Sequence, residues 1–171
     1  MASIAPRKPI LRLLIGPTAC GKSAVAHALA RQASGEILSV DSMKIYRQLR
    51  IGVAKPSERE RAEVPYHLID WKDVWKCGSV AEWLRAAETR VAESSARGSP
   101  LLAEGGTSMY IKALREGLFE GPGRDPKIRE RLEAEAQEEG AERLHAKLKQ
   151  VDPNAAARIL PTDHRRGGGS R

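Results

Sequence analysis

Apolar residues fall in short blocks separated by polar or glycine- and proline-bearing stretches, and the blocks switch between strand-like and helix-like periods. Ile10–Ile15 is apolar apart from Arg12 and reads as a buried strand; Glu36-Ile37-Leu38-Ser39-Val40 reads as a second, and Leu101-Leu102-Ala103 as a third. Between the first two, an alanine-rich helix is expected over about Ser23–Gln32, ended by Gly35. Residues 43–78 look irregular, broken by Pro56 and Pro65, with Val64–Trp71 as a possible short strand. Ser79-Val80-Ala81-Glu82 has the form of a capping box. It opens a helix to about Ala96 whose Val80, Trp83, Leu84, Ala87 and Val91 share one face. Gly98-Ser99-Pro100 ends it, and a further helix is expected over Ser108–Glu116. After Gly117–Gly123 the pattern becomes almost wholly helical: Asp125–Glu139, with Pro126 at the first helical position, then Ala141–Gln150, then Pro153–Ile159.

The expected fold is α/β: a P-loop NTPase-like parallel sheet core with a helical insert subdomain. A strand–helix–strand start implies parallel pairing. The expected division is a core over 1–123, a helical insert over 124–160 and a short tail over 161–171.

The turn between the first strand and the first helix is Gly16-Pro17-Thr18-Ala19-Cys20-Gly21-Lys22-Ser23, the spacing of a phosphate-binding loop. Its glycines let successive backbone N–H groups close on a phosphate, and the next helix aims its positive end at the same anion. Lys22 adds a point charge, and the Ser23 hydroxyl suits the shell of a Mg²⁺ ion.

Asp41 ends the second strand, and ligands of parallel sheets gather at the carboxyl ends of strands. It can order Mg²⁺ through water, accept a proton, or cap the next turn; a carboxylate facing a phosphate loop favours the first two. Gly105-Gly106-Thr107 is a second glycine turn at a strand end, with Thr107 as a hydrogen-bonding group. His67 reads as structural, Arg129 and Arg131 lie on a charged helix, and Trp71, Trp75 and Trp83 are expected to fill the core.

Composition sharpens the partner class only moderately. The net charge of +7 over 171 residues favours a polyanion, while 4% aromatic residues leave no evident stacking platform. No run is long and apolar enough to cross a membrane, so no membrane partner is expected. No apolar stretch of signal type precedes the first strand, and Cys20 and Cys77 read as reduced thiols, so the cytoplasm is the expected location. A monomer is the expected state.

Five segments then occur in one order: the phosphate loop; Ser39-Val40-Asp41-Ser42-Met43-Lys44-Ile45-Tyr46-Arg47; Gly52-Val53-Ala54-Lys55-Pro56-Ser57; Val64-Pro65-Tyr66-His67-Leu68-Ile69-Asp70; and Gly105-Gly106-Thr107-Ser108-Met109-Tyr110. With Val151–Ile159 they resemble the tRNA dimethylallyltransferases, also called tRNA isopentenyltransferases. The resemblance implies transfer of a dimethylallyl group from dimethylallyl diphosphate to N6 of adenosine 37 in tRNAs that read codons beginning with U. It implies that Gly16, Pro17, Thr18, Ala19, Cys20, Gly21, Lys22 and Ser23 hold the diphosphate with Mg²⁺, that Asp41 accepts the N6 proton, and that Thr107 lines the channel where donor and flipped base meet. Asp41, Ser42, Met43, Lys44, Thr107, Arg129 and Arg166 would touch the tRNA, and the helical insert would clasp the anticodon stem-loop.

The chain departs from the family pattern in places. Cys20 replaces a serine, Lys44 stands where glutamine is common, Tyr66 replaces the first of two common histidines, and Glu104 puts an acid just before the glycine turn. The family continues well past the Pro161–Arg171 stretch, so impaired prenyl transfer is expected from this chain alone. The loop also permits a small-molecule kinase, a non-catalytic diphosphate- or RNA-binding remnant, or a prenyltransferase acting on a free adenine nucleotide.

Overall fold

The structure is a computed structural model that describes residues 10–118 and 125–163. It separates into two compact units, Met1–Leu118 and Phe119–Arg171.

In the first unit, β1 (Arg12–Ile15) leads into α1 (Lys22–Gln32), followed by β2 (Glu36–Val40), α2 (Glu58–Glu63), β3 (Tyr66–His67), α3 (Val80–Arg97), β4 (Leu101–Gly105) and α4 (Ser108–Glu116). The four strands form one parallel sheet in the order β1-β4-β2-β3. The strand–helix–strand start therefore does not place β1 beside β2: β4 lies between them, with Ala103 opposite both Leu13 and Leu38. This central strand is the one that needs both faces covered, and four of its five residues are buried.

Alternation along β2 divides the core into two layers. Ile37 packs with Ala26 and Ala30 of α1 and with Val64. Leu38 and Val40 join Trp83, Leu84 and Ala87 of α3 and Tyr110 and Ala113 of α4. The expected α3 face is formed as read, with Val80 and Val91 packed at its edge. Trp83 is fully buried and stacks on Tyr110 with ring centroids 4.1 Å apart.

Two expectations are corrected here. Trp75 is 86% exposed and fills no core, while Trp71 packs at the core's edge and only Trp83 of the three is fully buried. The stretch 43–78 is not wholly irregular, because α2 forms within it. Its six residues carry no apolar face, but Ser57 and Glu60 make a complete reciprocal capping box, with the Ser57 N–H donating to Glu60 Oε2 at 2.8 Å. At the start of α3, Ser79 Oγ accepts from the Glu82 N–H at 3.1 Å, while the Glu82 carboxylate pairs with Lys72.

The second unit holds α5 (Pro126–Glu139), α6 (Ala141–Val151) and the short α7 (Pro153–Ala156). Asp125 caps α5 by accepting from the Lys127 N–H at 2.8 Å. Leu148, Ala155, Ala156 and Ile159 form a small apolar cluster between α6 and α7. His145 Nε2 bridges the carbonyls of Ala156 and Ile159 at 3.0 and 2.9 Å, which closes the end of this hairpin. Lys147 ties α6 to α5 through Glu135 at 2.7 Å.

Candidate functional site

The phosphate loop links the carboxyl end of β1 to the amino end of α1. Gly21 is the helix cap in the left-handed region (φ 82°), and Ala19 also has φ 64°. Alternating left-handed residues turn consecutive N–H groups to one side, the geometry of an anion nest. The α1 amino end carries no side-chain cap and no acid in its first turn, so its positive end is left for a ligand. The Lys22 ammonium folds over the loop and donates to the Pro17 carbonyl at 3.1 Å.

Across from the loop stand the carboxyl ends of β2 and β4. Asp41 Oδ1 accepts from the N–H groups of Met43 at 2.8 Å and Lys44 at 3.2 Å. Asp41 is thus a turn cap as well as a cleft-facing acid, and the two roles share one side chain. Thr107 Oγ1 accepts from the Ser42 N–H at 3.0 Å, and the Thr107 N–H donates to the Val40 carbonyl at 3.2 Å. These bonds pin the end of β4 to the end of β2. Gly105 is demanded by that approach: a Cβ there would lie 2.1 Å from the Val40 carbonyl oxygen. The first glycine of the turn therefore serves strand packing, and the second, Gly106, is exposed at the cleft.

Together these ends enclose an open cleft of about 650 Å³. It is lined by every loop residue except Cys20, by the Asp41–Lys44 turn, by Gly52–Ala54, and by Gly106 and Thr107. The exposed Met43 lies on its rim. Of the residues assigned by resemblance, the structure brings the loop, Asp41, Ser42, Met43, Lys44 and Thr107 to one cleft. The side chain of Cys20 is outside the lining. Arg129 belongs to the second unit, where its Nε pairs with Glu133 at 2.8 Å. Arg166 lies outside the described residues.

Beneath the loop, Ser23 donates its hydroxyl to Glu104 Oε1 at 2.9 Å, and the Lys44 ammonium sits 3.5 Å from Glu104 Oε2. The Glu104 and Lys44 side chains are only 3% and 7% exposed. The acid before the glycine turn does point toward the loop, but its charge is matched by a cation. Lys44 correspondingly presents its ammonium inward to Glu104, not to the surface. A chamber of about 60 Å³ adjoins this pair, bordered also by Ser39, Lys55, Glu60 and Tyr66. Burial, followed by the charges of Glu60 and Glu104, pushes the Tyr66 hydroxyl up to about 12, so it stays a neutral phenol.

A second cluster braces the 55–61 segment, which follows the cleft-lining Gly52–Ala54. Asp70 accepts from Lys55 at 2.7 Å and from Arg61 at 2.6 Å. Burial works against the Asp70 carboxylate, but these two bonds outweigh it and hold its pKa below the usual range. Sequence reasoning missed this brace, whose three residues are spread over sixteen positions with no local period. His67, read as structural, donates from Nε2 to the Glu36 carboxylate at 2.5 Å at the opening end of β2.

Ser23 and Asp41 offer the hard oxygen donors that suit Mg²⁺. Among the described residues no group of three or more His, Cys, Asp or Glu side chains could hold a metal ion by itself. A Mg²⁺ ion at this loop would therefore share its shell with phosphate oxygens and water, which is its usual mode.

A phosphate loop at the carboxyl edge of a parallel sheet, with an acid and a threonine on the neighbouring strand ends, defines a P-loop α/β core. Comparison with known proteins narrows the class. The IPP transferase family model matches residues 44–167. The chain is 50% identical over 160 residues to a tRNA dimethylallyltransferase of Stenotrophomonas maltophilia, covering 94% of this chain and 50% of that protein. The crystal structure of a tRNA isopentenylpyrophosphate transferase from Bacillus halodurans superposes with a TM-score of 0.64 at 39% identity, covering 95% of this chain and 54% of that one. A eukaryotic dimethylallyltransferase acting on tRNA, 23% identical with a TM-score of 0.79, shares the fold, over 95% of this chain and 40% of that one. The chain belongs to the IPP transferase family. It spans about half the length of the curated relatives it matches.

Proposed function

We propose that this chain supplies the diphosphate-binding and proton-accepting residues of a transferase that moves a dimethylallyl group from dimethylallyl diphosphate to N6 of adenosine 37 in tRNAs reading codons that begin with U. The observation that carries the reading is one cleft lined by Lys22 and Ser23 of the phosphate loop on one side and by Asp41 and Thr107 on the other. Chemistry of this kind needs a place for a departing anion beside a base.

In the proposed reaction, N6 of adenine attacks the allylic C1 of the donor. The C1–O bond breaks, and its electron pair leaves with the diphosphate. The loop N–H groups, the α1 amino end and Lys22 take up the departing charge, which lowers the barrier to ionisation. Mg²⁺, held at Ser23, would add further neutralisation of that charge. Asp41 accepts the proton that N6 loses. Its Oδ1 is fixed by two backbone N–H groups, so the carboxylate is held in one orientation toward the cleft. The target base leaves its stack to enter, and Met43 on the rim offers an apolar surface to it.

The acceptor proposed is the tRNA anticodon stem-loop, with Ser42, Met43 and Thr107 at the base. The 124–160 helices carry Arg129, and Arg166 is proposed as a further tRNA contact. Lys44 enters this reading through its backbone, because its ammonium is committed to Glu104. The proposed setting is a monomer in the cytoplasm.

The test is transfer of label from dimethylallyl diphosphate, with Mg²⁺, to a stem-loop carrying A36-A37-A38, with AMP as the competing acceptor. Asp41→Asn is the informative variant, since an asparagine Oδ1 can still accept both turn bonds while the base is lost. Label on the stem-loop that falls by at least about a hundredfold in Asp41→Asn supports the reading. Equal transfer by the variant would remove Asp41 from the chemistry, and ATP hydrolysis without prenyl transfer would favour a kinase.

A further inference from the structure

Glu104 is a charged side chain on the central strand of the sheet, where an apolar residue would satisfy the core. It is 3% exposed and stands in register with Leu14, two residues before the phosphate loop begins. Burying a carboxylate is costly unless its oxygens are answered. Both are: Oε1 accepts the Ser23 hydroxyl at 2.9 Å, and Oε2 faces the Lys44 ammonium at 3.5 Å. Ser39, opposite Glu104 on β2, is also buried, and its hydroxyl has no partner among the described residues. A polar group thus sits behind the loop in a layer that packing alone would make apolar.

The consequence falls on Ser23. A hydroxyl has one proton and two acceptor lone pairs. With its hydrogen donated to Glu104, Ser23 Oγ keeps its acceptor lone pairs available to a cation in the cleft that Ser23 lines. A hydroxyl held this way is a ligand for a cation and no longer a donor to phosphate. In P-loop nucleotide hydrolases a loop Ser or Thr works beside an acid from another strand to hold Mg²⁺. Here β4 lies directly beside β1, and Glu104 reaches the loop serine from it.

We propose that Glu104 is a metal-positioning residue, which orients the Ser23 hydroxyl as a ligand for Mg²⁺ at the phosphate loop, while Lys44 keeps the carboxylate's charge matched. This rests on the phosphate-loop reading and adds to it a second acid, outside the motif, that acts through Ser23.

The experiment is calorimetric titration of inorganic pyrophosphate into the chain over a series of MgCl₂ concentrations. Glu104→Leu paired with Lys44→Met removes the acceptor without stranding a buried charge, and replacing such pairs by apolar residues is often tolerated. Orienting partners of metal ligands are worth 10–100-fold in metal affinity. The double variant should therefore raise the Mg²⁺ concentration needed for half-maximal pyrophosphate binding by about tenfold or more, a larger change than any it makes to metal-free binding. Glu104→Gln with Lys44→Gln retains an amide acceptor for Ser23 and should recover part of the loss. Ser23→Ala should show the full loss, with no further effect on adding the Leu/Met pair, as expected of residues acting as a unit. An Mg²⁺ dependence within twofold of the unaltered chain in the folded Leu/Met variant would overturn the proposal. Absence of pyrophosphate binding in the unaltered chain would overturn the phosphate-loop reading itself.

Discussion

Lys44 and Glu104 answer each other: their ammonium and carboxylate lie 3.5 Å apart with both side chains almost fully buried. Each is a departure from the pattern the chain otherwise follows, and each alone would bury an unmatched charge. The pair should therefore behave as a unit in stability. Glu104→Leu alone leaves a buried ammonium and should cost about 3 kcal/mol, while adding Lys44→Met should return most of that loss. Urea denaturation of the two single variants and the double variant measures the coupling directly. Additive losses would show that the two groups do not depend on one another.

A different acid, Glu36, contributes to the acid side of the pH response. Glu36 lies at the start of β2, where burial alone would raise its pKa, but hydrogen bonds from Arg97, His67 and Ser99 reverse the sign and bring it down to about 2. Arg97 reaches both carboxylate oxygens, at 2.7 and 2.9 Å. A carboxylate with a lowered folded pKa binds its proton more readily in the unfolded chain. Its contribution is present in full above the ordinary value of 4.5 and disappears as the pH falls toward about 2. The amount is about 3 kcal/mol. Stability measured between pH 6 and pH 2 should show this loss, and Glu36→Gln should flatten that part of the curve.

The contrast between these two acids shows what was legible before the structure. The boundaries of β2 and α4 followed from an apolar run after Gly35 and from the span between a glycine turn and Gly117. The loop and Asp41 were legible because their chemistry is local to one strand end each. Glu104 was visible only as an anomaly, since nothing local states that β4 inserts between β1 and β2. That order is a long-range outcome of covering both faces of a central strand, and it is what brings Glu104 under Ser23. α2 escaped because five charged residues and one alanine give no periodic signal, although Ser57 and Glu60 spelled its cap. Trp75 misled because size and apolarity argue for burial on average, and this one lies in a turn with nothing packed over it.

The two glycines of the second turn should separate by their tasks. A Cβ on Gly105 would meet the Val40 carbonyl oxygen at 2.1 Å, a backbone atom that cannot move without breaking the β2–β4 register. Gly105→Ala should destabilise the fold by about 3 kcal/mol. A Cβ on Gly106 would meet only the Gly16 carbonyl oxygen at 3.6 Å, an ordinary contact, but it would project beside the cleft. Gly106→Ala should keep the melting temperature within a few degrees while weakening pyrophosphate binding. A matching loss of stability in both variants would assign the whole turn to packing.

The loop residues should differ sharply in how much of the binding they carry. Lys22 lines the cleft, and among the described residues its ammonium is held by the Pro17 carbonyl alone, a neutral acceptor that a phosphate would displace. Cys20 is the single loop residue outside the lining; its sulfur lies instead by Gly16, 3.0 Å from where a Cβ on that glycine would stand. Binding at Cys20 is thus left to the backbone, which a side-chain exchange does not alter. Cys20→Ser should hold pyrophosphate affinity within about twofold, whereas Lys22→Ala loses a charge-assisted contact worth about 2 kcal/mol, some thirtyfold in affinity. Titration calorimetry on both variants checks the contrast. A large loss in Cys20→Ser would mean that the thiol itself reaches the ligand, and that the loop closes differently around a diphosphate than it stands here.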